Sequence, residues 1–187
     1  LLMLNKKIKL LGTFVVLSFF LCAKAFSQNQ LKSHTHGTSN ISIAFENNVL
    51  QIQLNAPLMD IVGFEGKPKS VKQKNDLELA SAKLTNWKSI FQFYEGLCEE
   101  QKVLIKKNHE KIHHDHDHEK HSTEDYSHSE IEVFYEFYCT ESKKLSSVKI
   151  QLFKKFSRMQ KINAQWISDT GQGQKFLDHK QNTITFR

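Results

Sequence analysis

The stretch ISIAFENNVLQIQLN, residues 41–55, decides the fold. Ile41, Ile43 and Phe45 alternate with Ser42, Ala44 and Glu46; after Asn47-Asn48 the alternation resumes with Leu50, Ile52 and Leu54 against Gln51 and Gln53. Successive side chains of a strand point to opposite faces, so two period-two runs around a two-residue Asn turn predict a β-hairpin with one buried face. Pro57 cannot donate to a central ladder and ends the second strand.

Working outward, Ile61 to Pro68 reads as a loop carrying Gly63, Phe64, Glu65 and Gly66. Ser70 with Gln73 forms a capping box, and the helix it opens carries Leu77, Ala80, Leu84, Trp87 and Phe91 as one apolar stripe. Phe91, Phe93, Tyr94 and Gly96 mark its exit, and Leu97 to Lys106 reads as a further strand. Ile131, Val133, Tyr135, Phe137 and Cys139 alternate with Glu130, Glu132, Glu136 and Tyr138, a clear strand. A turn through Glu141 to Lys144 leads to Val148, Ile150 and Leu152, with a bend anchored by Phe153 and Phe156. Lys161 to Ile167 is expected as a strand, Gly171 to His179 as a short helix and Thr183 to Phe186 as a last strand. The fold class is α+β: antiparallel hairpins with packed helices. Hairpins at 41–55 and 130–152, and the likeness of residues 50–54 to 148–152, raise the prospect of two pseudo-symmetric halves.

The first 25 residues read as an export signal. Lys6, Lys7 and Lys9 precede an apolar run from Leu10 to Leu21, and Ala23-Lys24-Ala25 supplies a small-x-small site for cleavage before Phe26. The start is either a non-Met codon at Leu1 or Met3. The run falls short of the about 20 apolar residues a span needs, which disfavours an uncleaved anchor. Leu21 ahead of Cys22 disfavours a lipoprotein signal. Cleavage leaves residues 26–187 as a single domain, with no stable membrane insertion. The segment removed holds four Lys and no acids, so the formal charge falls from +6 to about +2. Nucleic-acid binding thereby loses its electrostatic basis.

Two cysteines remain, Cys98 and Cys139. An even number in an exported chain points to a disulfide, and a loop of this length is worth about 4 kcal/mol in the chain-entropy model. A thiolate metal pair is the rival reading. The two residues bracket the segment between them, so the bond is expected to staple its base.

That segment, residues 106–128, is charged and nearly devoid of apolar residues. It cannot offset its own ordering entropy and is expected to be an inserted flexible loop. Seven of the ten histidines lie in it: His109, His113, His114, His116, His118, His121 and His128. His114-Asp115-His116-Asp117-His118 alternates imidazole with carboxylate, both of which zinc accepts; copper and nickel also take imidazole. The pattern predicts binding of several ions at moderate affinity, weakened in acid because metal competes with protons. His34 and His36, just ahead of the first strand, form a second candidate site with Glu65 as a third ligand. His179 reads as a charge partner at a helix end. Gly-x-Ser-x-Gly, His-Glu-x-x-His, a phosphate-binding Gly-rich loop and Cys-x-x-Cys are all absent from the sequence, which argues against an enzyme.

Taken together, His34-Thr35-His36-Gly37, Ala56-Pro57, Val62-Gly63-Phe64-Glu65 with Pro68, Cys98, the His/Asp segment and Tyr135-Glu136-Phe137-Tyr138-Cys139 form an ordered set. Leu152-Phe153-Lys154-Lys155-Phe156, Gln165-Trp166-Ile167 and Gly171-Gln172 complete it. This set resembles the ZrgA family of periplasmic zinc-uptake proteins over nearly the whole chain after the signal. The resemblance implies a zinc-binding accessory of high-affinity import that passes Zn2+ to the binding protein of an ABC importer. It also implies an α/β fold with two pseudo-symmetric halves. Two positions depart from the family pattern: Gly66 stands where a second His usually follows the Glu, and Asp60 stands in place of an Asn. Rival readings are a periplasmic buffer or resistance protein for zinc, copper or nickel, a metal-dependent hydrolase, and an adhesion module with an incidental loop.

Overall fold

The hairpin around Asn47-Asn48 forms in the expected register. Strands β1 (Thr38–Glu46) and β2 (Val49–Pro57) pair antiparallel, with Ile41 opposite Leu54, Ile43 opposite Ile52 and Phe45 opposite Leu50. Asn47 and Asn48 take φ of 49° and 71°, the left-handed pair that a tight two-residue hairpin turn needs. These details come from a computed structural model that describes residues 37–109 and 129–186.

Within those bounds β1 and β2 are followed by a short helix α1 (Leu58–Val62) and helix α2 (Val71–Thr85). Strands β3 (Phe91–Tyr94), β4 (Cys98–His109), β5 (Ser129–Cys139) and β6 (Ser147–Ile150) come next. The chain closes with helix α3 (Leu152–Lys155) and strands β7 (Lys161–Ser168), β8 (Gly171–Leu177) and β9 (Thr183–Thr185). Six strands form one sheet in the order β4-β5-β2-β1-β7-β8, antiparallel throughout except for the parallel pair β1–β7. The order β3-β6-β9 makes a second, antiparallel sheet.

One face of the large sheet is the core. Ile41, Ile43, Leu50, Ile52, Leu54, Val133 and Ile162 are all at most 2% exposed. Helix α2 turns Leu77, Ala80 and Leu84 inward, and the small sheet contributes Phe91, Val148, Ile150 and Ile184 to the same cluster. Phe91 meets Tyr135 edge-on at 4.9 Å between ring centres, and Phe93 meets Phe137 in the same way at 5.1 Å. The Tyr135 hydroxyl, whose pKa burial pushes up, donates to the Leu84 carbonyl at 2.8 Å and ties the sheet to the end of α2. The opposite face is polar, with Gln51 donating to Glu136 at 2.9 Å and Gln174 to Asn163 at 2.8 Å.

The capping box of Ser70 and Gln73 is present in full, with the Ser70 hydroxyl accepting from Gln73 N at 3.1 Å. Several other expectations need correction. Trp87 lies in a 3-10 turn and Phe91 in β3, so the helical stripe stops at Leu84. Residues 61 and 62 belong to α1 and not to a loop. Gly171–Leu177 is an edge strand and not a helix, so His179 sits in the turn beyond it, its ring 5.1 Å from Phe153 and with no helix end to partner. The run 130–152 is not a hairpin: β5 joins the large sheet and β6 the small one. The second of the two hairpins invoked for the expected two-fold likeness is therefore absent. With one parallel pair and helices on one face, the molecule is mostly β and lacks α/β layering. The expected signal at residues 1–25 and the His-rich segment 110–128 lie outside the described residues.

The disulfide forms. Cys98 and Cys139 are opposite one another in the β4–β5 ladder, with Cα atoms 4.0 Å apart and sulfurs bonded at 2.08 Å. Its place differs from the expected one. It joins the start of β4 to the end of β5, while His109 pairs with Ser129 at the other end. A strand rises about 3.3 Å per residue, so the bond is about 36 Å along the ladder from the base of the His-rich segment.

Candidate metal-binding end of the sheet

Strand register brings several chain segments to one end of the large sheet. Thr38 opens β1, Pro57 closes β2, His109 closes β4 and Ser129 opens β5. The pairs Asn40–Asn55, Pro57–Glu130 and His109–Ser129 align these ends. In sequence, His36 directly precedes Gly37 and His128 directly precedes Ser129.

Asp60 is held in this end by local sequence. After Pro57 the chain makes one helical turn in which Leu58 and Ile61 are buried, and Gly63 closes it in the left-handed conformation (φ 83°), donating to the Met59 carbonyl at 2.9 Å. Asp60 is drawn in with them and is 2% exposed. Its Oδ1 accepts from the buried N–H of Gly37 at 2.8 Å. Gly37 is held from the other side too, its carbonyl accepting from Gln160 N at 3.0 Å and Lys161 N at 2.8 Å. The point where the His34–His36 segment joins the fold is therefore clamped between α1 and the start of β7.

Glu65 does the equivalent for the second His-bearing segment. It lies in the loop after α1, and its Oε2 accepts from the N–H of Ser129 at 3.0 Å; Ser129 itself is 1% exposed. Two carboxylates five residues apart thus hold the two chain positions that immediately follow His36 and His128. A carboxylate offers up to about four lone-pair sites, so accepting one N–H leaves capacity for other partners.

Of the residues expected as ligands, Glu65 is at this end, and the backbone of His109 ends β4 there. His34, His36, His113, His114, His116, His118, His121 and His128 lie outside the described residues. Among the described residues no three His, Cys, Asp or Glu side chains come together as a metal site. Asp60, visible in the sequence only as a departure from a family pattern, has a structural role that no spacing rule exposes. Ser129 was not a candidate at all; its only sequence signal is its place between His128 and the first alternating residue of β5.

Zinc accepts both carboxylate oxygen and imidazole nitrogen, and second partners on a ligating carboxylate orient it. The Asp60 and Glu65 carboxylates, each fixed by a backbone donor, have that chemistry. No helix among the described residues is long and apolar enough to cross a membrane. No curated protein matches the sequence. Residues 33–186 match the model of a family described as ZrgA family zinc uptake protein.

Proposed function

Because the chain belongs to the ZrgA family of zinc uptake proteins, we propose that it captures zinc at the His-bearing end of the large sheet. In this reading residues 1–25 direct export and are removed, and residues 26–187 work in the periplasm as a single zinc-binding domain without enzymatic activity. His34 and His36, with Glu65 or Asp60, form a tighter site. His109, His113, His114, His116, His118, His121 and His128 gather ions more weakly and feed it. The zinc then passes to the binding protein of an ABC importer.

One observation carries the reading. The buried Asp60 and the loop residue Glu65 accept hydrogen bonds from Gly37 and Ser129, the residues next in sequence to His36 and His128. The two histidine-bearing segments are therefore tethered to neighbouring points of one short stretch, Asp60 to Glu65. Local effective concentration of imidazole is raised there without any requirement that the segments be ordered beforehand. Neutral imidazole is the ligand, so zinc displaces protons and affinity falls as pH drops through about 6.5.

Calorimetric titration of residues 26–187 with zinc, beside a variant lacking residues 110–127, tests this. The deletion is expected to keep one tight site and lose several weaker ones. Absence of zinc binding in the intact protein would falsify the reading. Loss of all binding in the deletion would move the tight site into the deleted segment.

A further inference from the structure

Two of the sequence motifs find no use in zinc capture: Gly63, and the Lys155-Phe156 end of the 152–156 run. Lys155 and Phe156 line a cavity of about 330 Å³ between α1, α2 and the turn that leads into β7, and Gly63 backs the Arg158 side chain on its wall. Lys72, Lys83, Lys155 and Arg158 line it with Asp60 and Asp76, four cations against two anions. Lys72 is already paired with Asp76 one helical turn away. Among the described residues Lys83, Lys155 and Arg158 make no ion pair, so positive charge is concentrated on the wall that α2 shares with the β7 turn.

Arg158 is positioned rather than trailing in solvent. A Cβ on Gly63 would lie 2.6 Å from its Cζ, 2.8 Å from Nη2 and 3.0 Å from Nε, so the guanidinium rests on the bare backbone of residue 63. The turn that carries it is anchored on either side by buried Phe156 and Met159, with Met159 N donating to the Phe156 carbonyl at 3.1 Å. A guanidinium held in a fixed plane favours two-pronged recognition of a planar carboxylate, with lysines adding charge around it. The volume suits a molecule of about ten to fifteen heavy atoms, within the lower range of small-ligand sites.

We propose that this cavity binds a small polycarboxylate of the kind that chelates divalent metals. The proposal rests on the zinc-capture reading: Asp60 lines the cavity and also clamps Gly37, so a chelate arriving here lays its carboxylates on Lys83, Lys155 and Arg158 beside the metal-binding end. The cavity holds the anion while zinc is exchanged to protein ligands.

Metal-free protein (residues 26–187) titrated with citrate tests it, with inorganic phosphate as the competing anion. Citrate should bind with sub-millimolar affinity, more tightly than phosphate, and weaken as salt is raised. The double variant Lys155→Gln/Arg158→Gln should lose at least tenfold in citrate affinity. Lys83→Glu, on an exposed helical position that cannot disturb the turn, should lose a similar factor, and Lys74→Gln elsewhere on α2 should lose none. No citrate binding, binding indifferent to both cavity variants, or equal or tighter phosphate binding would overturn the proposal. Zinc titrated without any carboxylate reads the metal site separately. It should be unchanged in the double variant, and its absence from the parent protein counts against zinc capture and not against the cavity.

Discussion

Asp60 combines burial with a charge, a combination that is costly unless the carboxylate is well hydrogen-bonded. Its bond to Gly37 N gives a definite expectation: Asp60→Ala strands a buried donor and should lower unfolding stability by about 1.5–3 kcal/mol. Urea unfolding curves measure this, and an unchanged midpoint would show that the clamp on Gly37 carries no weight. Gly63→Ala is disfavoured twice, by φ of 83° and by the Arg158 guanidinium. A left-handed alanine alone costs about 1–2 kcal/mol. Adding Arg158→Ala should recover the steric part and leave that backbone part, a difference that thermal melts of the single and double variants resolve. At Asp178, backbone N–H groups of Gln181 and Lys180, each 2.7 Å from Oδ1, hold the carboxyl below its ordinary pKa. A depressed folded pKa means stability that is present above the unfolded value, about 3.9, and lost as pH falls through the folded one. Asp178→Asn should therefore lower stability at pH 7 and change little near pH 2, which flattens the acid limb of the stability profile between pH 5 and 2.

At the scale of elements, the Cys98–Cys139 bond closes one end of the β4–β5 ladder, and His109 and Ser129, which flank the His-rich segment in sequence, pair at the other. Replacing both cysteines with serine should cost about 2–4 kcal/mol of stability while leaving zinc stoichiometry unchanged. A parallel loss of zinc sites in the calorimeter would show that the ladder transmits order along its whole length. The same ladder shows what the sequence could and could not reveal. Alternation in β1, β2 and β5 makes their buried faces legible, because each strand has one side in the core. Alternation says nothing about partners, however, so β5 and β6 were expected to pair with each other and instead joined different sheets. Strand β8 reads as a helix in the sequence because it is an edge: of its seven residues only Leu177 is buried, and Gly171, Gln172, Gly173 and Gln174 carry no period-two signal. Helix α1 is a single turn, too short for a stripe. In the candidate site, Glu65 was legible through a motif, while Asp60 and Ser129 matter through hydrogen bonds spanning 23 and 64 residues, which no local pattern encodes.

For the molecule as a whole, proton competition sets a working range. Zinc capture by imidazoles should weaken steeply between pH 7 and 5 while the β-sheet core, which contains no buried histidine among the described residues, stays folded. Zinc titrations at pH 7.5, 6.5 and 5.5 with circular dichroism on the same samples separate the two effects. Loss of fold in step with loss of zinc would mean that the metal is a structural element and not cargo.

The parallel pairing of β1 with β7 has a consequence for how the chain matures. Asn40 and Asn163 bond across 123 residues, and every pair from Thr38–Lys161 to Phe45–Ser168 spans a similar distance. Contacts of such long range form late, since loop closure precedes any gain from them, and they put the protein among slow folders. A chain threaded outward from its N-terminus presents the Ile41-Ile43-Phe45 strand first, and it must wait for residues 161–168 before that edge is covered. Until then β1 is an exposed, apolar-faced edge, vulnerable to aggregation and proteolysis. Under the proposed export, folding is thus coupled to crossing: completion of the large sheet requires that nearly the entire polypeptide has already crossed.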